Sequence, residues 1–177
     1  NDPVSNHEME HVLGPLRDEP SDVRARVLHH NGITSRHYAI DRVTGAATHT
    51  NAELCAEAIR GLTGPGGLSL EELDCLACGT TSPDVLLPGH GLMVHGVLGS
   101  PPCEVMTASG ICMSGVLALK YAVMNVRTGD ARNAIATGSE LSSSFLNARF
   151  LSAPKTEDRR VVDDPLLGFD AEFLRWM

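Results

Sequence analysis

A chain of 177 residues and 18.9 kDa, 42% of it hydrophobic and with a mean hydropathy of −0.04, is long enough to bury one substantial core. Its formal charge of −8 and pI near 5.4 argue against nucleic acid as a partner, and no apolar run reaches the roughly 18 residues that a membrane span requires. Nothing at the N-terminus reads as a signal peptide, and five cysteines, an odd number, do not read as a disulfide framework, so the expected setting is reducing and cytoplasmic.

In chain order, residues 6 to 31 carry two helical pieces separated by Gly14-Pro15. The second, Ser21 to His30, is expected to be capped by Ser21, to carry Asp22 in its first turn and to stop at Asn31-Gly32. Adjacent side chains on a helix diverge, so His29-His30 reads as structural rather than as a metal pair. Thr48 to Leu62 reads as an amphipathic helix with Asn51 as its cap and Leu54, Cys55, Ala58, Ile59 and Leu62 on one face. After the Thr63-Gly64-Pro65-Gly66-Gly67 loop, Ser69-Leu70-Glu71-Glu72 leads into a strand at Leu73 to Cys78. This alternation of strand and crossover helix implies parallel pairing and an α/β layered fold. Cys75 and Cys78 match C-x-x-C, but no second pair follows at zinc spacing, and strand positions three apart face opposite sides. Pro83 to Gly99 is a loop and then a helix, in which His90 and His95 read as packing or surface residues.

Cys103 to Glu140 organises the rest. Cys103 to Met106 is a short strand, and the small residues of Thr107-Ala108-Ser109-Gly110 let the backbone turn sharply before Cys112. From Met113 an almost wholly apolar helix follows, expected to be buried on all sides. Gly129 stops it, and Asn133 to Thr137 gives the next strand. Cys112 is thereby expected at the N-terminus of the helix, where first-turn amides and the helix dipole favour a thiolate and can receive an oxyanion. A free cysteine is also commonly no more than a small buried hydrophobe, and position alone does not choose. Beyond Glu140, Leu141 to Asp164 reads as a charged surface insertion able to cover an active-site entrance, with Arg149, Lys155, Arg159 and Arg160 among acidic residues; Leu166 to Met177 turns apolar again.

Ala108-Ser109-Gly110-Ile111-Cys112-Met113-Ser114-Gly115 resembles the nucleophile region of the thiolase superfamily, and within it β-ketoacyl-acyl-carrier-protein synthase III. Asn31-Gly32-Ile33-Thr34-Ser35-Arg36-His37, Cys78-Gly79-Thr80-Thr81-Ser82, Arg127-Thr128-Gly129 and Thr137-Gly138-Ser139-Glu140 resemble further segments of that family in the same order. The resemblance implies that residues 1–177 are the N-terminal half of a thiolase-like layered α/β fold with a central buried helix, lacking the family's first strand and C-terminal half. It implies that Cys112 is the catalytic nucleophile, taking an acyl group from an acyl thioester and passing it to a decarboxylated malonyl-type extender by Claisen condensation. The His and Asn that assist decarboxylation belong to the family's second half, so this stretch alone is expected to be inactive. Arg36 corresponds to the segment that contacts the pantetheine or nucleotide end of the donor, and a forked guanidinium suits phosphate. The tryptophan that often stacks there in the family is absent. Leu87, before Pro88, corresponds to a residue that reaches across a homodimer interface to line the partner's acyl pocket.

The implied partners are an acyl carrier protein, for which Arg24 and Arg26 would form a basic edge, together with acyl-CoA and malonyl-type thioesters as substrates; no cofactor and no metal are implied. Asn6, Asn31-Gly32, Thr48-His49-Thr50-Asn51 and Gly-Ile-Cys-Met-Ser-Gly look closer to a branch that makes dialkylresorcinol precursors than to housekeeping fatty-acid initiation. Two alternatives stand beside condensation: an acyltransferase on the same scaffold, and a non-catalytic partner subunit.

Overall fold

A computed structural model of the chain describes residues 2–15, 22–63 and 67–146, which fall into two compact units. The expected Ser21 cap, the charged segment from residue 147 onward and the apolar stretch from Leu166 to Met177 lie outside the described residues.

One unit takes in the residues up to Thr48 together with the described residues from Ser142. Its strands β1 (Val4–Ser5) and β2 (Ser35–Arg36) pair antiparallel, with Val4 opposite Arg36. Helices α1 (Met9–Leu13) and α2 (Asp22–Asn31) are the two pieces expected on either side of Gly14-Pro15. A small core of Val4, Met9, Leu13, Tyr38 and Ile40 holds this unit, and Arg42 ties down the N-terminal residues by donating to the carbonyls of Asp2 and Pro3 at 3.2 and 2.7 Å.

The second unit, His49–Leu141, is built on three parallel strands: β3 (Cys75–Gly79) at the centre, β4 (Glu104–Ala108) on one side and β5 (Ala134–Gly138) on the other. Helices α3 (Asn51–Leu62), α4 (His90–Leu98) and α5 (Ser114–Thr128) make the connections. The strand–crossover rhythm in the sequence thus gives the parallel sheet that it predicts, because parallel neighbours need a long return path.

The two faces of this sheet are filled differently. Leu76 and Cys78 of β3 and Ile135 of β5 pack with Cys55 and Ile59 of α3 and Val94 and Leu98 of α4. On the other face Ala77 and Ala108 meet Ala118 and Ala122 of α5. Cys75 receives the Asn125 side-chain amide of α5 at 3.4 Å, whereas Cys78 lies in the cluster with α3. The C-x-x-C sulfurs are therefore on opposite faces, as strand alternation requires.

Two expectations are corrected. The cap of α3 is Thr50, not Asn51: Thr50 Oγ1 accepts the Glu53 N–H at 3.2 Å and Glu53 Oε2 accepts the Thr50 N–H at 2.8 Å. The Thr-x-x-Glu spacing is a capping box, and it outcompetes the asparagine one residue later. The buried face of α3 also differs from the expected one: Ala52, Cys55, Ala56 and Ile59 are buried, and Leu62 is 64% exposed. The second correction concerns α5. Only the stripe of Ser114, Ala118 and Ala122 is buried, while Val116, Leu119 and Met124 are 52–55% exposed. A run of apolar letters reports what a helix could bury, and the small residues spaced four apart decide which side meets the sheet. Gly129 ends α5 in the left-handed conformation (φ 84°), as the sequence predicts. No helix among the described residues is long and apolar enough to cross a membrane.

Candidate active site

The three parallel strands end level, with Gly79 opposite both Ala108 and Gly138. The first turn of α5 rests directly on this edge. A Cβ on Gly79 would stand 2.3 Å from the Ser114 carbonyl oxygen and 2.7 Å from the Gly115 nitrogen, and one on Gly115 would stand 3.2 Å from the Gly138 Cα. Backbone therefore meets backbone at this edge, and only residues without side chains allow that approach.

After β4, the chain passes through Ser109-Gly110 into a single 3₁₀ turn, Ile111–Met113, that runs on into α5. Cys112 sits in this turn, ahead of the first residue of α5 rather than within it, and is exposed. Ile111, immediately before it, has φ 52°, a left-handed conformation that is a genuine outlier for a β-branched residue. Backbone and side-chain hydrogen bonds hold the turn, among them a bond from the Ser114 N–H to the Ile111 carbonyl. Ser114 Oγ accepts the Gly110 N–H at 3.0 Å and donates to the Ile111 carbonyl at 2.8 Å, while the Met113 N–H reaches the Gly110 carbonyl at 2.9 Å.

Cys112 opens into a cleft of about 480 Å³, backed by Gly79 and Gly138 and lined further by Leu119, Ser139 and Glu140. Glu140, just beyond β5, is the centre of a polar knot. Its Oε1 accepts the Thr81 N–H at 2.6 Å, and its Oε2 accepts the Ser82 N–H at 3.1 Å, the Ser82 hydroxyl and, at 3.4 Å, the Thr80 hydroxyl. Burial, the largest single influence, pushes this carboxyl up. The Ser82 hydroxyl, the two N–H groups and the Thr81 hydroxyl together outweigh burial and hold it below the ordinary range.

Behind the cleft wall lie further buried polar groups. His90 Nε2 is 3.1 Å from Ser139 Oγ, and His90 Nδ1 is buried without a partner among the described residues. Asn51, freed from capping, donates to Thr80 Oγ1 at 2.9 Å and to the Ser82 carbonyl at 3.0 Å. Asp84 replaces it as a terminal partner for α3, accepting the N–H groups of Asn51 and Ala52 at 2.7 and 2.9 Å. On the same face the buried Cys55 and Cys78 share one cluster, and the Cys55 thiol donates to Thr137 Oγ1 at 3.2 Å. Cys55 is the member of the pair pulled down, first by Cys78, against the effect of burial and with help from His90, Thr137 and Ser139; Cys78 is pushed up.

The residues singled out from sequence do not all gather here. Cys112 is in the cleft. Arg36 belongs to the other unit, where its Nη1 donates to Asn6 Oδ1 at 2.8 Å and to Met9 Sδ at 3.5 Å, while Nη2 is buried without a partner among the described residues. Leu87 is 87% exposed in a run with Val85 and Leu86, between β3 and α4. His95 Nε2 is 3.1 Å from the Pro101 carbonyl, and the His29 and His30 rings meet edge to face at 5.6 Å. Among the described residues no three His, Cys, Asp or Glu side chains are placed to hold a metal ion.

Sequence reasoning gave no role to Ser114, Thr81 or Glu140. The signal was present in the polar Thr-Thr-Ser after β3 and Ser-Glu after β5, which a level parallel sheet must bring to one edge.

Chemically, an exposed thiol on a rigidly held turn, facing an open cleft whose Leu119 side is apolar, suits a nucleophile that carries an acyl group covalently. No protein-family model matches the chain. It is 33% identical over 109 residues to the β-ketoacyl-[acyl-carrier-protein] synthase III of Xanthomonas euvesicatoria pv. vesicatoria, a match covering 62% of this chain and 32% of that one. It is 30% identical over 146 residues to the protein of the same name from Clostridium perfringens, covering 81% and 40%. The chain thus spans 32–40% of the length of the curated relatives it matches. Among solved structures, AbyA1, a tetronic acid condensing enzyme, matches with a TM-score of 0.68 at 27% identity over 82% of this chain and 43% of that one. Synthase III from Thermus thermophilus matches with a TM-score of 0.53 at 27% identity, covering 64% and 33%.

Proposed function

We propose that this chain, a β-ketoacyl-acyl-carrier-protein synthase III-like member of the thiolase fold class, supplies the acyl-accepting nucleophile of a Claisen-condensing enzyme. The observation that carries the proposal is the placement of Cys112. The thiol is exposed on a strained turn at the level ends of three parallel strands, in a cleft backed by glycines.

In this reading the Cys112 thiolate attacks the carbonyl of an acyl thioester, and the tetrahedral intermediate collapses with loss of the donor thiolate, leaving acyl-Cys112. A carbanion formed by loss of CO2 from a malonyl-type thioester then attacks the same carbonyl. The new carbon–carbon bond forms as the Cys112 sulfur leaves, and the β-ketoacyl thioester is released. Splitting the transfer in two is what covalent catalysis contributes. The donors are acyl-CoA or acyl carrier protein, and the working assembly is a homodimer. Arg36 is assigned to the phosphate-bearing end of the donor and Leu87 to acyl length. Residues 1–177 are read as the N-terminal half of the enzyme, and no cofactor or metal is assigned a part.

The test is the intact mass of the full natural chain before and after incubation with short and medium acyl-CoA donors. The expected result is a single acyl adduct, mapped to Cys112 and absent from the Cys112→Ala variant. An adduct that survives that substitution, or a folded wild-type chain that no donor labels, overturns the proposal.

A further inference from the structure

The turn that carries Cys112 is in a conformation its own residues do not favour. A β-branched residue held at positive φ is strained, and such a conformation persists only where its surroundings over-determine it. At Ile111 the surroundings can be traced one hydrogen bond at a time.

The nearest is Ser114, 3% exposed, whose hydroxyl engages the N–H of Gly110, the residue before Ile111, and the carbonyl of Ile111 itself. A serine hydroxyl has one hydrogen, and here it goes to the Ile111 carbonyl. The Thr81 Oγ1 and Ser114 Oγ atoms meet at 3.2 Å, within hydrogen-bond distance, and join the turn to the Thr80–Ser82 segment. Ser114 Oγ thus has three neighbours within hydrogen-bond distance: the Gly110 N–H, the Ile111 carbonyl and the Thr81 hydroxyl. Thr81 is fixed in turn by Glu140, which accepts its N–H at 2.6 Å, the N–H of Ser82 at 3.1 Å and the Ser82 hydroxyl. Two successive peptide N–H groups converging on one carboxylate leave the Thr80–Ser82 turn little freedom.

We propose that Glu140 is a positioning residue for the nucleophile: acting through Thr81 and Ser114, it holds the strained Gly110–Cys112 turn in the shape that presents the Cys112 thiol to the cleft. The proposal rests on the reading of Cys112 as the acyl-accepting nucleophile. It assigns Glu140 no contact with the reacting atoms, although Glu140 also lines the cleft. That makes the contact between Thr81 and Ser114 the discriminating one, since a carboxylate acting directly on substrate would not need it.

The experiment is single-turnover acylation of Cys112 in the full natural chain, followed by intact mass over a range of acyl-CoA concentrations. Wild type is compared with Thr81→Val, Thr81→Ser, Glu140→Ala and the Thr81→Val/Glu140→Ala double variant. A misplaced reacting group costs up to about 100-fold in rate, so Thr81→Val and Glu140→Ala are each expected to slow acylation by about 10- to 100-fold with little change in the half-saturating donor concentration. Thr81→Ser, which returns the hydroxyl, is expected to recover to within about 3-fold of wild type. The double variant is expected to be no slower than the slower single, because both changes break one chain of contacts. A wild-type rate in Thr81→Val, or full additivity in the double variant, overturns the proposal. If Glu140→Ala does not fold, the Thr81→Val and Thr81→Ser pair decides it alone.

A second readout, the rate of iodoacetamide alkylation mapped to Cys112, needs no acyl donor. If no donor acylates wild type, the acyl-transfer reading fails, and alkylation then decides the positioning role. A rate that changes in Thr81→Val and returns in Thr81→Ser upholds the role, whereas identical rates in all variants overturn it.

Discussion

The two faces of the three-stranded sheet are held by opposite means. Against α3 and α4, large side chains such as Ile59, Leu76, Val94 and Ile135 fill the space between the layers. Against α5, the absence of side chains does the work: alanines in the middle, glycines at the strand ends, and backbone within van der Waals reach of backbone. Side chains can shift rotamer to absorb a change, whereas two backbones in contact cannot. The first face is thus where stability accumulates. The second fixes where the start of α5, and with it Cys112, stands relative to the strands.

Substitutions can set the two faces against each other. The largest effect is expected at Gly79→Ala, whose methyl would lie 2.3 Å from the Ser114 carbonyl. No flexible side chain can yield there, so a loss of about 4 kcal/mol or more in chemical denaturation is expected, with Cys112 acylation impaired in whatever folds. Ile59→Ala, on the other face, should cost about 3 kcal/mol by leaving a cavity, yet the folded fraction should acylate at the wild-type rate. A slow but folded Ile59→Ala would erase the division between the faces. The smallest effect belongs to Thr50→Ala, which removes the cap of α3 at about 1 kcal/mol, seen as a lowered denaturation midpoint with acylation untouched.

Much of this was legible in the sequence where a local rule applies without a competitor. The Gly129 stop, the break between α1 and α2 at Gly14-Pro15 and the parallel strands separated by helices each follow from short-range chemistry. Asn51 was misread because two good capping residues stand side by side, and only Glu53 chooses between them. The one-sided burial of α5 was not legible for a different reason. Apolar letters show what could be covered, and Ala118 and Ala122 look unimportant until the close approach at Gly79 and Gly138 is seen. Cys112 stood out because small residues, a thiol and a helix start follow one another in the chain. Its supports could not, since Thr81 lies 33 residues from Ser114 and Glu140 lies 59 residues from Thr81.

Those separations also bear on when the site comes into being during folding. Contacts closed over long loops form late, because the entropy of closure is lost before the contact gives anything back. The turn at Ile111 cannot be secured while β3, β4 and β5 are unpaired, since its last support arrives with Glu140, two residues beyond β5. On this account the thiol acquires its working geometry only once the strands of its unit are in register, and a partly folded chain carries a cysteine like any other.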